Sequence, residues 1–546
     1  MKNILLIFSI ISFMLPSFAI NLPNEERPDD IHWTGWSESI FKQAKKENKF
    51  IILDLEAIWC HWCHVMRKTT YSDPAVQNLL KSKYITVRVD QDSRPDLANR
   101  YREYGWPATI FFNSKGEEIV KRSGYIQPEN MRMLLQKIID EPSPEETQID
   151  DEDILFSSAQ TFTDELKTEL IENHLSTYDL KTGGLDIPQK FLDSDSIEYC
   201  LIEAKTGNKK EEEMAKKTLN ASLALIDPVW GGAYQYSTMG GWNYPHFEKL
   251  ANIQARYIRI YSQAYSIWKE PKYLKAAEDV YKYIKSFLMS PKGVFYVSQD
   301  ADIIQGEHGS EYFMLSDSER RKIGIPRIDT HVYSSQNGLL IDALVNLYNA
   351  TGKKEYLNEA INAAEWIVRY RVINPKIADS LQWIFGDFST DVILERLKWV
   401  LSNISWTERG FRHDEKDLAG PFLNDTLNMG KAFISLYNTT NDKKWLIRSE
   451  QAARFIDRHF TSPVVGFATS EASCKVCAVR APSRLIDENI EIVRFTSKLY
   501  QRTKYISYKE MAEHAMKYIA TPEIATRTLT EPGILIANLE LNEANK

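Results

Sequence analysis

Cys60 and Cys63 follow directly behind the apolar run FIILDL at 50–55, and that placement limits what the surrounding chain can fold into. A strand running into Cys60 sets its sulfur at the start of a helix, where free N–H groups and the helix dipole favour a thiolate. Cys63, one turn further in, is placed to attack a mixed disulfide formed at Cys60. Cys60 therefore reads as the attacking thiol and Cys63 as the resolving thiol. Asp54 lies on the same strand, inside an apolar run, and a buried carboxyl there can take the proton from Cys63.

The flanking pattern fits such a frame. An amphipathic helix is expected at 37–48, strands at 50–55, 84–89 and 109–112, and a helix running on from the C-x-x-C. Asn113-Ser114-Lys115-Gly116 turns the chain into a strand at 117–121, and a helix at 127–139 closes the unit. This is a small α/β sandwich. Pro107, if cis, exposes the backbone of Trp106 beside the cysteines for pairing with an extended substrate. The segment resembles the thioredoxin superfamily in Asp54, Trp59-Cys60-His61-Trp62-Cys63, Trp106-Pro107 and Gly124. It departs from thioredoxins at His61-Trp62, where they carry Gly-Pro. A histidine between the cysteines can stabilise the Cys60 thiolate and make the pair more oxidising.

The chain has 546 residues, too many for one such unit. An acidic, proline-bearing stretch at 141–153 marks a linker at 143–154, between a thioredoxin-like domain at 20–142 and a helical domain at 155–546. In the second part an apolar helix repeatedly ends in a short polar turn, and the next helix opens on an aromatic residue. This happens before Tyr273, Tyr356 and Trp445, and more weakly near 206–208 and 503–508. Helical hairpins with long, unequal connecting loops predict an α/α toroid whose loops line a central cavity. An open solenoid is the alternative, and the irregular spacing speaks against it.

The first 19 residues carry one Lys, an apolar run and Ser17-Phe18-Ala19. They read as a cleavable secretory signal, with an uncleaved anchor as the alternative. An exported chain, periplasmic or extracellular, with no membrane span after cleavage is expected. Net charge is −8 without a basic stripe, which speaks against nucleic acid as a partner. Protein thiols or disulfides are the expected partners, with carbohydrate as a further possibility.

Other constellations remain. Cys60-His61-Trp62-Cys63-His64 also fits the C-x-x-C-H attachment motif of c-type haem, but the strand context and Pro107 favour thiol chemistry, and no cofactor is expected. Cys474 and Cys477 form a second thiol pair, read as a local disulfide because no further Cys or His pair at ligand spacing suggests a metal. Cys200 reads as a buried free thiol. Trp242, His246, Glu248, Asp300 and Asp302 sit at loop–helix junctions. They could line a sugar-stacking cavity with paired acids, or simply cap helices.

Over the whole chain after the signal, the sequence resembles the spermatogenesis-associated thioredoxin-domain proteins. The carriers are Trp33, Trp36, Asn48-Lys49, the stretch from Trp59 to Met66, Pro245-His246-Phe247-Glu248-Lys249, Gln299-Asp300-Ala301-Asp302 and Asn337-Gly338-Leu339. The resemblance implies a thioredoxin-like domain followed by a six-hairpin toroid similar to glycosidases and sugar epimerases. The chain departs from the family where Leu250-Ala251-Asn252-Ile253-Gln254 replaces Met-Leu-Tyr-Asp-Asn. The expected function is an exported thiol–disulfide oxidoreductase whose toroid holds substrate or binds carbohydrate. The alternatives are a carbohydrate-active enzyme and a glycan-binding protein.

Overall fold

The computed structural model describes residues 31–143, 156, 162–373, 408–417, 419–471 and 483–546. The stretch 1–19 expected to be a signal, most of the linker, Cys474 and Cys477 lie outside the described residues.

The N-terminal domain is a four-stranded sheet in the order β2-β1-β3-β4: β1 Phe50–Glu56, β2 Tyr84–Asp90, β3 Ala108–Phe112 and β4 Glu118–Ser123. β1 pairs parallel with β2 and antiparallel with β3, so it is central and its run of apolar residues is buried on both faces. Ile51, Leu53 and Leu55 face Ile40 and Ala44 of α1 (Glu38–Glu47) and Leu97 of α4 (Pro95–Arg100). Ile52 faces α2 (His61–Thr69), α3 (Pro74–Lys83) and α5 (Pro128–Asp140) through Met66, Leu80 and Leu135. Period-two alternation puts Asp54 on that same face, towards α2. The expected elements are present. Helix α3 went unread in the sequence, although Asp73 caps it through the N–H groups of Ala75 and Val76 and Pro74 sits in its first turn.

The second domain is a ring of six helical hairpins. The inner helices are Ser194–Lys205, Ala251–Trp268, Ser334–Thr351, Leu423–Thr440, Ile486–Thr503 and Pro532–Ala544. Each packs on the next, and the last packs back on the first, which rules out an open solenoid. The outer helices are Lys209–Ser222, Pro271–Tyr283, Lys354–Tyr370, Lys443–Phe460 and Ile506–Ile519. Asp164–Ser176 takes the sixth outer place against Pro532–Ala544. Inner helices bury most of their circumference, as with Leu340, Ile341, Ala343, Leu344 and Leu347. Outer helices bury one stripe, as with Tyr356, Ala360, Ala364 and Ile367. Gly338 lets two inner helices touch: a Cβ there would lie 2.6 Å from the Asn428 backbone.

Two devices repeat around the ring. Four inner helices end on a left-handed residue (Lys269, Gly352, Asn441 and Lys504) whose N–H bonds back to a tyrosine carbonyl four residues earlier. Four residues later the outer helix buries Tyr273, Tyr356, Trp445 or Tyr508. At the other end, the fourth residue of the inner helix clamps the incoming loop. Gln254, Asn337 and Asn489 each exchange two hydrogen bonds with the backbone of Ala233, Phe295 and Phe467.

Two buried ionic centres hold the ring. Asp227 accepts from Lys249 Nζ at 2.8 Å and from Arg320 Nη1 at 2.6 Å and Nη2 at 3.2 Å, with all three side chains fully buried. Burial pushes the Lys249 ammonium down to about 8 against the pull of Asp227. Glu198 binds Arg494 at 2.8 and 3.0 Å and also Arg259, tying the first inner helix to the second and fifth.

Candidate active site

Cys60 ends the loop after β1 and is the N-cap residue of α2. Its sulfur is bonded to Cys63 and accepts the Cys63 N–H at 3.2 Å. The Trp106–Pro107 peptide is cis, and the Trp106 carbonyl lies 3.6 Å from the Cys60 sulfur. Asp54 is buried and is held by Arg88 Nε at 2.9 Å. Burial pushes its carboxyl up to about 6 despite the Arg88 charge.

The cysteines are not open to solvent. Cys60 is 4% and Cys63 3% exposed, and both pack with Ala57 and Trp59 against Leu250 and Ile253 of the toroid. Trp62 is the exposed member of the motif.

A short three-stranded sheet, Lys249–Leu250, Ser298–Gln299 and Ile328–Asp329, gathers the toroid's acids at this contact. Asp302 accepts from His61 Nδ1 at 2.8 Å, from His64 Nδ1 at 3.1 Å and from the Gly306 N–H at 2.7 Å. His64 Nε2 also donates to the Ile58 carbonyl at 3.0 Å. Both ring nitrogens of His64 thus face acceptors, so the ring carries two protons and a charge. Burial opposes that charge, but the Asp302 hydrogen bond and the Asp300 and Asp302 charges outweigh it and raise the His64 value. Asp302 is lowered: burial works against its charge, and its histidine partners prevail. Asp300, beside it, is pushed up to about 6 by burial. Glu248 is pushed up to about 7 by burial and by the neighbouring aspartates, although the His61 N–H favours its charge.

His246 stacks on Tyr236 with ring centres 4.3 Å apart, and its Nδ1 lies 4.0 Å from Glu248. Burial, together with His308 and His61, pushes it down to about 4, so it is neutral at pH 7. Trp242 is buried against Gly184 and donates to the Thr182 carbonyl, a packing role. A cavity of about 260 Å³ opens beside this contact, lined among others by Phe191, Gln235, Tyr236, Ile253, Arg256 and Tyr257.

Two further contacts join the interface, neither carrying a local sequence signal. His413 donates from Nε2 to the Asp92 carbonyl at 2.7 Å and from Nδ1 to Asp425 at 3.0 Å. Asp425 and the other acids around it raise His413 to about 9 against burial. Arg102 meets Asp487 at 3.0 Å. Among the described residues, two clusters have ligand-like spacing: His64 with Asp300 and Asp302, and His174 with Cys200 and Glu211. In the first, the histidine is already committed to proton donation at both nitrogens.

The pH dependence of docking follows from these groups. Glu248 keeps its proton to about pH 7 folded but only to 4.5 unfolded, so its contribution weakens the fold as pH rises across that window. His64 acts with the same sign: its contribution is complete below 6.5 and lost as pH rises through its raised folded value. His246, lowered to about 4, has the opposite sign and offsets Glu248 between about 4.5 and 6.5. Docking is therefore expected to loosen chiefly as pH rises above about 6.5, where Glu248, His64 and His413 all act in one direction. Hydrogen-exchange protection factors at 247–253 should fall as pH rises above about 6.5, and Glu248→Gln should lessen the part of that fall near pH 7. Protection that rises above that pH would contradict this assignment.

This sheet, with its helix-capping C-x-x-C and cis proline, defines a thioredoxin-like domain docked on the loop face of a six-hairpin toroid. A family model described as a DsbH-type thioredoxin, "Protein of unknown function, DUF255", matches residues 22–167. Thioredoxin H7 of Arabidopsis thaliana is 33% identical over 102 residues, covering 18% of this chain and 73% of that one. Spermatogenesis-associated protein 20 of Mus musculus is 28% identical over 334 residues, covering 53% of this chain and 42% of the relative. The N-terminal domain of the chain thus belongs to the thioredoxin family, and the chain as a whole is similar to spermatogenesis-associated protein 20. It spans about 42% of the length of the first curated relatives it matches. Among solved structures, cellobiose 2-epimerase from Bacillus thermoamylovorans matches with a TM-score of 0.46 and 12% identity, over 66% of this chain and 86% of that one.

Proposed function

We propose that the protein is an exported thiol–disulfide oxidoreductase. The observation that carries this reading is the Cys60–Cys63 bond at the N-terminus of α2, beside the cis Pro107 and the Trp106 carbonyl. In the reducing direction, the Cys60 thiolate attacks a substrate disulfide and releases one substrate thiolate. The Cys63 thiolate then attacks Cys60 in the mixed disulfide, releases the second substrate thiol, and leaves the Cys60–Cys63 bond. Asp54, on the face towards α2 and titrating near 6, accepts the Cys63 proton. Substrate oxidation is the same sequence reversed.

Because the toroid covers the sulfurs, the reactive state is an undocked or narrowly entered one. A second reading rests on the cavity of about 260 Å³, whose aromatic and amide-bearing walls suit a sugar ring. In that case the toroid binds carbohydrate and the disulfide is accessory.

The test is the Cys63→Ser chain, expressed with its signal. It is expected to accumulate mixed disulfides through Cys60 on exported proteins, and Cys60→Ser is expected to accumulate none. Equal amounts from both variants would sink the oxidoreductase reading. Stabilisation of the wild-type chain by one sugar, lost in Arg256→Ala, would support the second.

A further inference from the structure

Among the described residues of the toroid, a buried cluster of ligand-type side chains lies apart from the disulfide, the interface and the two ionic centres. His174 comes from the helix Asp164–Ser176, Cys200 from Ser194–Lys205 and Glu211 from Lys209–Ser222. All three are buried. Cys200 Sγ lies 3.0 Å from Glu211 Oε2 and 3.6 Å from His174 Nε2, and His174 Nε2 lies 3.2 Å from the same Glu211 oxygen. A single carboxylate oxygen is thus asked to accept from both a thiol and an imidazole. The other imidazole nitrogen, Nδ1, is buried and finds no hydrogen-bond partner among the described residues.

From this triangle we infer a zinc site. Metal–ligand bonds of about 2.1 Å give tetrahedral edges of about 3.4 Å, and edges of 3.0, 3.2 and 3.6 Å surround that value. One sulfur, one imidazole nitrogen and one carboxylate oxygen form a donor set that zinc favours over calcium or magnesium. A thiolate and a carboxylate neutralise a divalent ion, so the loaded site carries no net charge into the interior. Beside the three ligands is a cavity, also lined by Tyr178, Asp193 and Ser196, with about 10 Å³ for a water centre, enough for one water. That water supplies the fourth ligand.

On binding, the Cys200 S–H loses its proton to solvent and the sulfur bonds the metal. The His174 proton moves from Nε2 to Nδ1, freeing the Nε2 lone pair. The ion would fasten together the three helices where the ring closes, since Asp164–Ser176 and Ser194–Lys205 both pack on Pro532–Ala544.

The experiment uses the full chain carrying Cys474→Ser and Cys477→Ser, kept oxidised so that Cys60 and Cys63 cannot ligate. After chelation and dialysis it is titrated with Co²⁺ and with Zn²⁺. One equivalent of tetrahedral Co²⁺ with a thiolate-to-metal charge-transfer band is expected, displaced by Zn²⁺, together with a higher unfolding midpoint when zinc is present. Glu211→Gln should weaken binding at least tenfold while keeping the band, and Cys200→Ser should abolish the band. If Cys200→Ser does not fold, His174→Gln serves instead, with weakened affinity expected. No stoichiometric cobalt signal in the parent, or a signal that survives Cys200→Ser, would overturn the site.

Discussion

Asp227→Asn is expected to cost the toroid about 3–5 kcal/mol, the usual penalty for removing one partner of a buried ionic centre. The substitution keeps the shape but leaves Lys249 and Arg320 fully buried and facing each other without an anion. Arg320 cannot shed its charge. Lys249 can: it is already pushed down to about 8 with Asp227 present, and it falls further without it. A lysine whose folded value lies below its unfolded one gains stability as pH rises between the two. The variant's window opens lower than the wild type's, so its deficit should narrow as pH rises towards 8. Denaturant unfolding at several pH values would read both effects. A deficit under about 1 kcal/mol would mean that water reaches the centre and that the three charges are solvated.

Asp302→Ala should open the domain contact. Asp302 is the shared acceptor for His61 and for the charged His64, and hydrogen bonds to charged groups are worth about 1.5–3 kcal/mol each. Losing both, about 3–6 kcal/mol together, should raise the undocked population by a factor on the order of 10² to 10⁴, at about 1.4 kcal/mol per tenfold. In the reduced protein, Cys60 lies under Leu250 and Ile253 when docked, so its alkylation by iodoacetamide at fixed pH should accelerate by a similar factor. His61→Ala alone should give a smaller increase, because His64 keeps its partner. An unchanged rate in Asp302→Ala would show that Leu250 packing, not this ionic contact, holds the domains together.

Much of this architecture could be read from residue order, and the failures have physical reasons. β1 was legible because six consecutive residues are buried on both faces, and α2 because the cysteines sit at its first turn. The hairpins were legible because a polar turn and a buried aromatic recur at fixed distance, as in Tyr265, Lys269 and Tyr273. The amide clamps of Gln254, Asn337 and Asn489 were not, since an amide on a helix looks like any exposed polar residue until its loop partner is known. The site was half legible. Cys60, Cys63, Asp54, Pro107 and the acids Asp300 and Asp302 were named from local pattern. His413 and Asp92 were not, and His64 was noted only within a haem-type motif, because their role comes from a contact between domains, across separations such as the 238 residues between His64 and Asp302. His61 was read as a neighbour of the Cys60 sulfur, whereas the structure gives its Nδ1 to Asp302. Trp242 was read as a cavity wall, and the structure gives it a place beneath Gly184.

The closure of the ring has a consequence for how the protein comes into being. The first inner helix, Ser194–Lys205, receives its last neighbour from Pro532–Ala544, and Glu198 waits for Arg494, which lies 296 residues downstream. Until that late stretch has left the ribosome, an early helix carries a buried-type carboxylate without its cation and an apolar flank without a cover. The sheet domain ahead of it can finish early, because its strand pairs are complete by residue 123. A nascent chain therefore spends most of its synthesis as a finished sheet domain leading an unfinished ring, the state in which helical intermediates associate wrongly. Slow steps in assembly are expected at the seam between the first and last helices, and substitutions there should lower yield more than they lower the stability of molecules that have already closed.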